Sequence, residues 1–562
     1  MNAKKFVLLI VIAVLLLSAC APAARPTEEY GRIVERPVET VESDGEMLIE
    51  PQSEDYSAES PPNFYPQPTA PLPSLDLPGL EQPEAGRTQP GAGMAPPEWS
   101  PPEERYIPPS PPDNTFQDYG VNPYTDTRGD HLSTFAVDVD TAAYAVARRY
   151  LSDGLLPPPE AVRVEEFINY FDQNYPDPGR DVFGIYADGA PSPFEYGTTL
   201  LRVGIQGRSI HDWVRKSANL VFVIDVSGSM GMEYRLEMVK GALETLVNNL
   251  YNDDSVAIVV YGSSARVMLK PTSARNSREI LKVIRRLEPE GATNAEAGLR
   301  LGYDLAMRAY KPDGINRVIL CSDGVANVGM TEANAILETV GGYVDEGVTL
   351  TSVGFGMGNY NDVLMEQLAD KGNGSYAYVD TLEEAQKIFG KDLTSTLQVI
   401  GLDAKVQVDF NPEIVAYYRL MGYENRDVAD SDFRNDRVDA GEIGAGHSVT
   451  ALYAVRLQPD AEGRIATVQF RWQDPDSYEV RELNRNLNTW DLAARFEKAD
   501  PYFQLTAVVG QFAEILRQNP WAVETPFEMV MEYAYSLPRS LRNSDEVREF
   551  LGLVEQAAAH RW

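Results

Sequence analysis

The chain has 562 residues, room for about three domains of ordinary size, and 43% of them are hydrophobic, enough for a normal core. Acidic residues outnumber basic ones 84 to 49, and the formal charge of −35 repels polyanions and argues against nucleic acid as a partner. There are two cysteines, Cys20 and Cys321, and four histidines, so a cysteine–histidine catalytic pair has little to draw on.

The first residues read as an address. Lys4 and Lys5 precede an apolar run from Phe6 to Leu17, too short for a comfortable span and laid out like a secretory signal peptide. Leu17-Ser18-Ala19-Cys20 resembles the bacterial lipobox. The resemblance implies a signal peptide over 1–19, cleavage before Cys20, and attachment to the membrane through lipid on Cys20. The expected location is the cell envelope, outside the cytoplasm, in the periplasm or at the cell surface. Residues 20–129 are expected to form a disordered, acidic, Pro-rich tether, with pairs such as Pro61-Pro62, Pro96-Pro97, Pro101-Pro102 and Pro108-Pro109. Such composition cannot bury enough apolar surface to offset ordering entropy.

A globular pattern is expected from Asp130. Residues 130–216 form an α+β companion region, with a strand at 135–140, helices at 141–151 and 159–171, and antiparallel strands between 182 and 210. Over 217–396 apolar strands alternate with amphipathic helices. Strands fall at 220–224, 256–261, 265–269, 318–321, 350–353 and 376–379. Helices fall near 235–249, 277–287, 294–309, 332–344 and 363–371, and a last one starts near Leu382 and is interrupted by Gly390. The pattern predicts an α/β fold with a doubly wound, mainly parallel sheet covered on both faces. Cys321 ends one of its strands and reads as a buried core thiol. Period-two alternation returns over 397–480, a β-rich region predicted to join the 182–210 strands in one sandwich, with the central domain inserted into it. Residues 481–562 are predicted helical, with breaks at Pro526 and Pro538.

Three loops carry the chemistry. Asp225-Val226-Ser227-Gly228-Ser229 follows the first central strand, Gly291-Ala292-Thr293-Asn294 opens a helix, and Ser322-Asp323-Gly324 closes another strand. In a doubly wound sheet, ligands bind beyond the carboxyl ends of strands where the strand order reverses. Two carboxylates and several hydroxyls meeting there are hard donors suited to Mg²⁺ or Mn²⁺. The plainer alternative is a strand-to-helix turn in which Ser229 caps a helix. Asp225, Ser227 and Ser229, with Thr293 and Asp323 in the right order, resemble the metal-ion-dependent adhesion site of von Willebrand factor A domains. The resemblance implies a Rossmann-like A domain over 217–396 that binds Mg²⁺ (or Mn²⁺ or Ca²⁺). Ser227, Ser229 and Thr293 would touch the metal directly or through water, and Asp225 and Asp323 largely through water. A protein partner would offer a carboxylate to the remaining position. Stretches around Asp138–Thr141, Glu165–Phe171, Tyr418–Asn425 and Asp439–His447 resemble the companion regions of a bacterial family of A-domain lipoproteins.

Enzyme readings fare worse. Asp138 and Asp140 are spaced like the aspartates of haloacid-type phosphatases but lack a lysine partner and precede the central fold. Ser229 lies in no Gly-x-Ser-x-Gly elbow, and there is no phosphate loop. His447, in a glycine-rich stretch, reads as a turn or packing residue. The expected function is therefore a non-enzymatic, metal-dependent binding module on the envelope. The alternatives are a scaffold or assembly factor for envelope complexes and, more distantly, a hydrolase.

Overall fold

The computed structural model describes residues 114–560 except 138, 212–213, 325–329 and 359. The expected signal peptide, Cys20, most of the tether and Asp138 lie outside the described residues. Residues 114–129, which the sequence pattern places in the tether, pack on the body instead. Thr115 bridges Asn361, Asn122 Nδ2 donates to the Gly422 carbonyl at 2.8 Å, and strand β1 (Thr125–Asp126) pairs with Tyr417 and Tyr418. The Pro-rich stretch ends before Asn114, so composition alone sets this boundary too late.

The first companion region continues with β2 (Leu132–Ala136), α1 (Ala142–Ser152), α2 (Val164–Asn169), β3 (Phe183–Pro191) and β4 (Thr199–Gly207). The helix expected at 159–171 is split, with a 3₁₀ turn at Pro159–Ala161 ahead of α2, because Pro159 suits the first position of a short turn. The central domain follows as β5 (Ala218–Asp225), α3 (Arg235–Asn249), β6 (Ser255–Tyr261), β7 (Ala265–Ser273), α4 (Ser277–Ile284), α5 (Ala295–Arg308), β8 (Ile315–Ser322), α6 (Met330–Val344), β9 (Thr349–Phe355), α7 (Asp362–Lys371), β10 (Tyr376–Val379), α8 (Leu382–Gln386) and α9 (Leu393–Leu397). Its six strands run in the order β10-β9-β8-β5-β6-β7, all parallel except β7, which lies antiparallel to β6.

Burial follows strand alternation. Val221 and Val223 of β5 face one helical layer with Leu299 and Tyr303 of α5. Leu220, Phe222 and Ile224 face the other, with Val239, Leu243 and Leu246 of α3. The last helix is broken by a π-turn at Lys387–Lys391, around the Gly390 that the sequence flagged.

The chain then forms β11 (Val399–Phe410), β12 (Val415–Met421), β13 (Gly441–Gly444), β14 (Ser448–Leu457), β15 (Arg464–Gln473) and β16 (Val480–Asn488), and closes with α10 (Pro501–Leu516), α11 (Phe527–Ser536), α12 (Arg539–Arg542) and α13 (Asp545–Ala559). One sheet reads β1-β12-β14-β4-β3. The other reads β13-β11-β15-β16, with β2 on β11. Phe183, Leu201 and Val203 of the first share a core with Val406, Val408, Phe470 and Trp472 of the second. The N-terminal strands thus complete a sandwich whose other strands come from beyond residue 397, and the central domain is inserted between β4 and β11. The helical C-terminal segment begins later than 481, because β16 extends to Asn488 on the edge of β15.

Buried ion pairs fasten the central domain to the companion region. The guanidinium of Arg148 (α1) donates to Asp380 at 2.8 Å and to Glu384 at 2.7 Å. That of Arg163 donates to Asp362 of α7 at 2.7 Å. Asp140 accepts the Tyr376 N–H at 2.8 Å, a structural role for the second of the two N-terminal aspartates.

Candidate functional site

The chain runs β5 to β6 and β7 on one side of the sheet, then crosses to β8, β9 and β10 on the other. The strand order therefore reverses between β5 and β8, and the carboxyl ends of these two strands open the crevice where a ligand fits. Asp225 ends β5 and Ser322 ends β8, one residue before Asp323. They meet there: the Ser322 hydroxyl donates to Asp225 Oδ2 at 3.2 Å, and Asp225 Oδ1 accepts the Ser227 N–H at 2.7 Å. The second bond turns the chain so that the hydroxyls of Ser227 and Ser229 lie 3.0 Å apart. Ser229 sits in a 3₁₀ turn at Gly228–Gly231, whose Met230 is fully buried. It does not cap α3, which begins only at Arg235.

The third loop is drawn in by its backbone. The Gly228 N–H donates to the Gly291 carbonyl at 3.2 Å and the Glu290 N–H to the Val226 carbonyl at 2.5 Å. The Ser263 hydroxyl accepts the Ala292 N–H at 2.9 Å. Thr293 follows, half-buried, and Asn294 caps α5 by accepting the Ala297 N–H. Two glycines are required by geometry. Gly291 (φ +72°) and Gly324 (φ +112°) occupy the left-handed half of the map, and a Cβ on Gly324 would lie 2.7 Å from the Tyr360 Cα.

Asp225 is fully buried. Burial, and secondarily the charge of Asp323, push its carboxyl up from an ordinary 3.8 to about 6. The Tyr261 phenol, at the end of β6, is pushed well above its usual range by burial and then by the Asp225 charge. Both carboxylates of the site are thus withdrawn from water. Among the described residues a cation stands beside Asp323, where Arg235 Nη1 donates to Oδ2 at 2.7 Å.

Arg235 is the residue that sequence reasoning missed. It opens α3, where a cation is disfavoured by the helix dipole, and it is held there by Asp323 and by the Met357 carbonyl. The preceding Glu233 and Tyr234 both have positive φ (+49° and +60°), an uncommon pairing for non-glycine residues that delivers Arg235 inward. The available sequence signal was an arginine following a loop that carries the serines. That same loop leaves Met232 and Tyr234 half and four-fifths exposed on the rim.

Comparisons with known proteins point to one family. The family model for the von Willebrand factor type A domain matches residues 219–391, one for von Willebrand factor matches 110–202, and one for the C-terminal region of uncharacterized protein YfbK matches 395–559. Uncharacterized protein YfbK of Escherichia coli (strain K12) is 35% identical over 473 residues, covering 79% of this chain and 80% of its own length. Uncharacterized protein sll0103 of Synechocystis sp. is 27% identical over 292 residues, covering 50% of this chain and 68% of its own. Among solved structures, a von Willebrand factor type A protein from Catenulispora acidiphila aligns at a TM-score of 0.40 and 15% identity, over 69% of this chain and 97% of that one.

Proposed function

The chain belongs to the von Willebrand factor type A family, in the group that includes YfbK, and from that premise we propose that it is a lipid-anchored envelope protein that captures a protein partner through a divalent metal. A domains commonly mediate protein–protein interaction, and the metal, the anchor and the envelope location are the added content of the reading.

The observation that carries it is the meeting of Asp225, Ser227, Ser229 and Asp323 at the reversal point of the sheet, where two buried carboxylates stand near each other and the arginine reaches Asp323. The donor set fits Mg²⁺ or Mn²⁺, since every group is a hard oxygen. Ser227, Ser229 and Thr293 would hold the ion, with Asp225 and Asp323 anchoring its waters. When bound, the ion supplies a Lewis-acidic coordination position that a partner's carboxylate can fill. The chain's own residues do the rest. Asp225 fixes the turn through the Ser227 N–H, Arg235 holds one oxygen of Asp323, and Met232 and Tyr234 offer apolar contact on the rim. Cys20 would place this module on the outer side of a membrane.

The test is the thermal stability of the metal-stripped chain during Mg²⁺ titration, beside Ser229→Ala. Ion at a hundredfold over its dissociation constant adds about 2.7 kcal/mol if it binds only the folded state. The gain is expected in the parent chain and not in the variant. A flat response in both would remove the metal from the reading. It would favour a scaffold, for which the buried ion pairs between the central domain and the companion region supply a rigid frame.

A further inference from the structure

A cleft lies between the inserted domain and the companion region, away from the metal face. It encloses about 270 Å³ between Tyr170 after α2, Ser375 before β10, Ser395 of α9, and His447 and Ser448 at the start of β14. A narrower recess of about 20 Å³ shares Ser375, Ser395 and His447 with it and reaches inward to Arg317 of β8 and Glu442 of β13. That volume admits one water-sized group, which needs about 10–15 Å³. Boundaries between domains are favoured places for small-molecule sites.

Polar groups at the recess keep bonding capacity that the protein does not use. Arg317 is 2% exposed. Its Nε donates to the Thr349 hydroxyl at 3.1 Å, and its Nη1 to the Thr351 hydroxyl at 3.2 Å and to the Thr396 carbonyl, which leaves Nη2. Among the described residues it forms no ion pair, and the charge that acts on it is that of Glu442. Burial pulls its guanidinium down to about 10, so it stays a cation at neutral pH. The Nδ1 of His447 is buried with no hydrogen-bond partner among the described residues. Burial, then the Arg317 charge, push that imidazole down to about 4, which leaves it neutral with one N–H to donate. Burial, then the charge of Asp439, hold the Glu442 carboxyl well above its usual range, so it too can donate a proton. A buried cation and two neutral donors converging on one small space suit an anionic oxygen.

The outer cleft offers the opposite charge. The Asp392 side chain caps nothing at the start of α9, and the cations near it are engaged elsewhere. Lys387 Nζ donates to the Tyr170 carbonyl at 2.9 Å and lies 3.4 Å from the centre of that ring, while Lys391 faces Glu546 at 3.8 Å. We infer that this cleft binds a small amino-carboxylate, a free amino acid or a dipeptide, with its carboxylate in the recess on Arg317 and His447 and its ammonium against Asp392. The recess is too narrow for the tetrahedral head of a phosphate. A molecule seated there touches β8 and α9 of the inserted domain and the β13–β14 turn of the sandwich, and so braces the two against each other.

The test is calorimetric titration of the full chain in EDTA with the common amino acids and a set of dipeptides headed by alanyl-alanine. The tightest is then compared with its C-terminal amide, its N-acetyl derivative and inorganic phosphate. Binding is expected with a dissociation constant of order millimolar or below. Loss of the carboxylate in the amide should weaken it at least about tenfold, as should Arg317→Lys, which keeps the charge but loses the guanidinium fork. Asp392→Asn, at a half-buried position that does not threaten the fold, should abolish the advantage of the free amine over the N-acetyl form. No binding by any probe, an amide or phosphate that binds as well as the carboxylate, or an Asp392→Asn chain that still prefers the free amine overturns the inference. The inference is independent of the metal site: binding that appears only when Mg²⁺ is restored, and is lost in Ser229→Ala, would assign the probe to the metal face and overturn it as well.

Discussion

Replacing Arg163 with methionine tests how the central domain is held. The Arg163 guanidinium lies between Glu166 of α2 and Asp362 of α7, two carboxylates with at most 1% of their side chains exposed. Each keeps a donor without it: Glu166 accepts the Ala143 N–H at 2.7 Å and Asp362 the Tyr376 hydroxyl at 2.6 Å. Neither keeps its nearest cation, and a third carboxylate, Glu366, lies 3.6 Å from the same guanidinium. Breaking a buried pair from one side costs roughly 3–5 kcal/mol, because the remaining charge is left uncompensated. Arg163→Met should therefore lower unfolding stability by about that much in urea titration followed by circular dichroism. Adding Glu166→Gln and Asp362→Asn should recover most of the loss, since these two buried charges are then no longer stranded. A loss near the roughly 0–1 kcal/mol of an exposed pair, or no recovery in the triple variant, would refute the reasoning.

Other consequences are as direct. Without metal, the raised Asp225 carboxyl favours folding below its unfolded value near 3.8, and that contribution is lost as pH rises through about 6. Relative to Asp225→Asn in EDTA, the parent chain should thus lose roughly 3 kcal/mol between about pH 4 and 7, and Mg²⁺ stabilisation should grow over the same range because the ion needs the deprotonated group. A pH-independent difference between the two chains would contradict this. Cys321 is 1% exposed and burial raises its thiol, so it should resist alkylation at about pH 8 in the folded chain and react after denaturation; rapid labelling of the native protein would show the strand end to be open. Gly298 packs α5 on the Tyr261 ring, with a built Cβ only 2.6 Å from it. Gly298→Ala should cost about 1–3 kcal/mol by overpacking, seen as a lowered melting temperature, and an unchanged one would mean that the helix can shift away.

The central domain was legible because its signals are local. Uninterrupted apolar strands such as Leu220–Ile224, and the amphipathic helix at 235–249, match the observed elements closely. The site loops were legible for the same reason, since Asp225, Ser227, Ser229 and Asp323 sit at strand ends that the sheet topology brings together. Long-range contacts were less visible. Arg235 is paired with a residue 88 positions away, and its burial depends on two left-handed residues that composition does not announce. The packing of 114–129 likewise depends on partners near 360 and 420. Those residues look like loop until β12 and the β9–α7 turn are in place.

The most direct test of the central claim is anomalous scattering from crystals grown with Mn²⁺. The expected result is a peak within direct-coordination distance of the hydroxyls of Ser227 and Ser229, with Asp225 and Asp323 turned toward it and Arg235 still on one oxygen of Asp323. A chain that crystallises in saturating Mn²⁺ with no peak between those serines would contradict it.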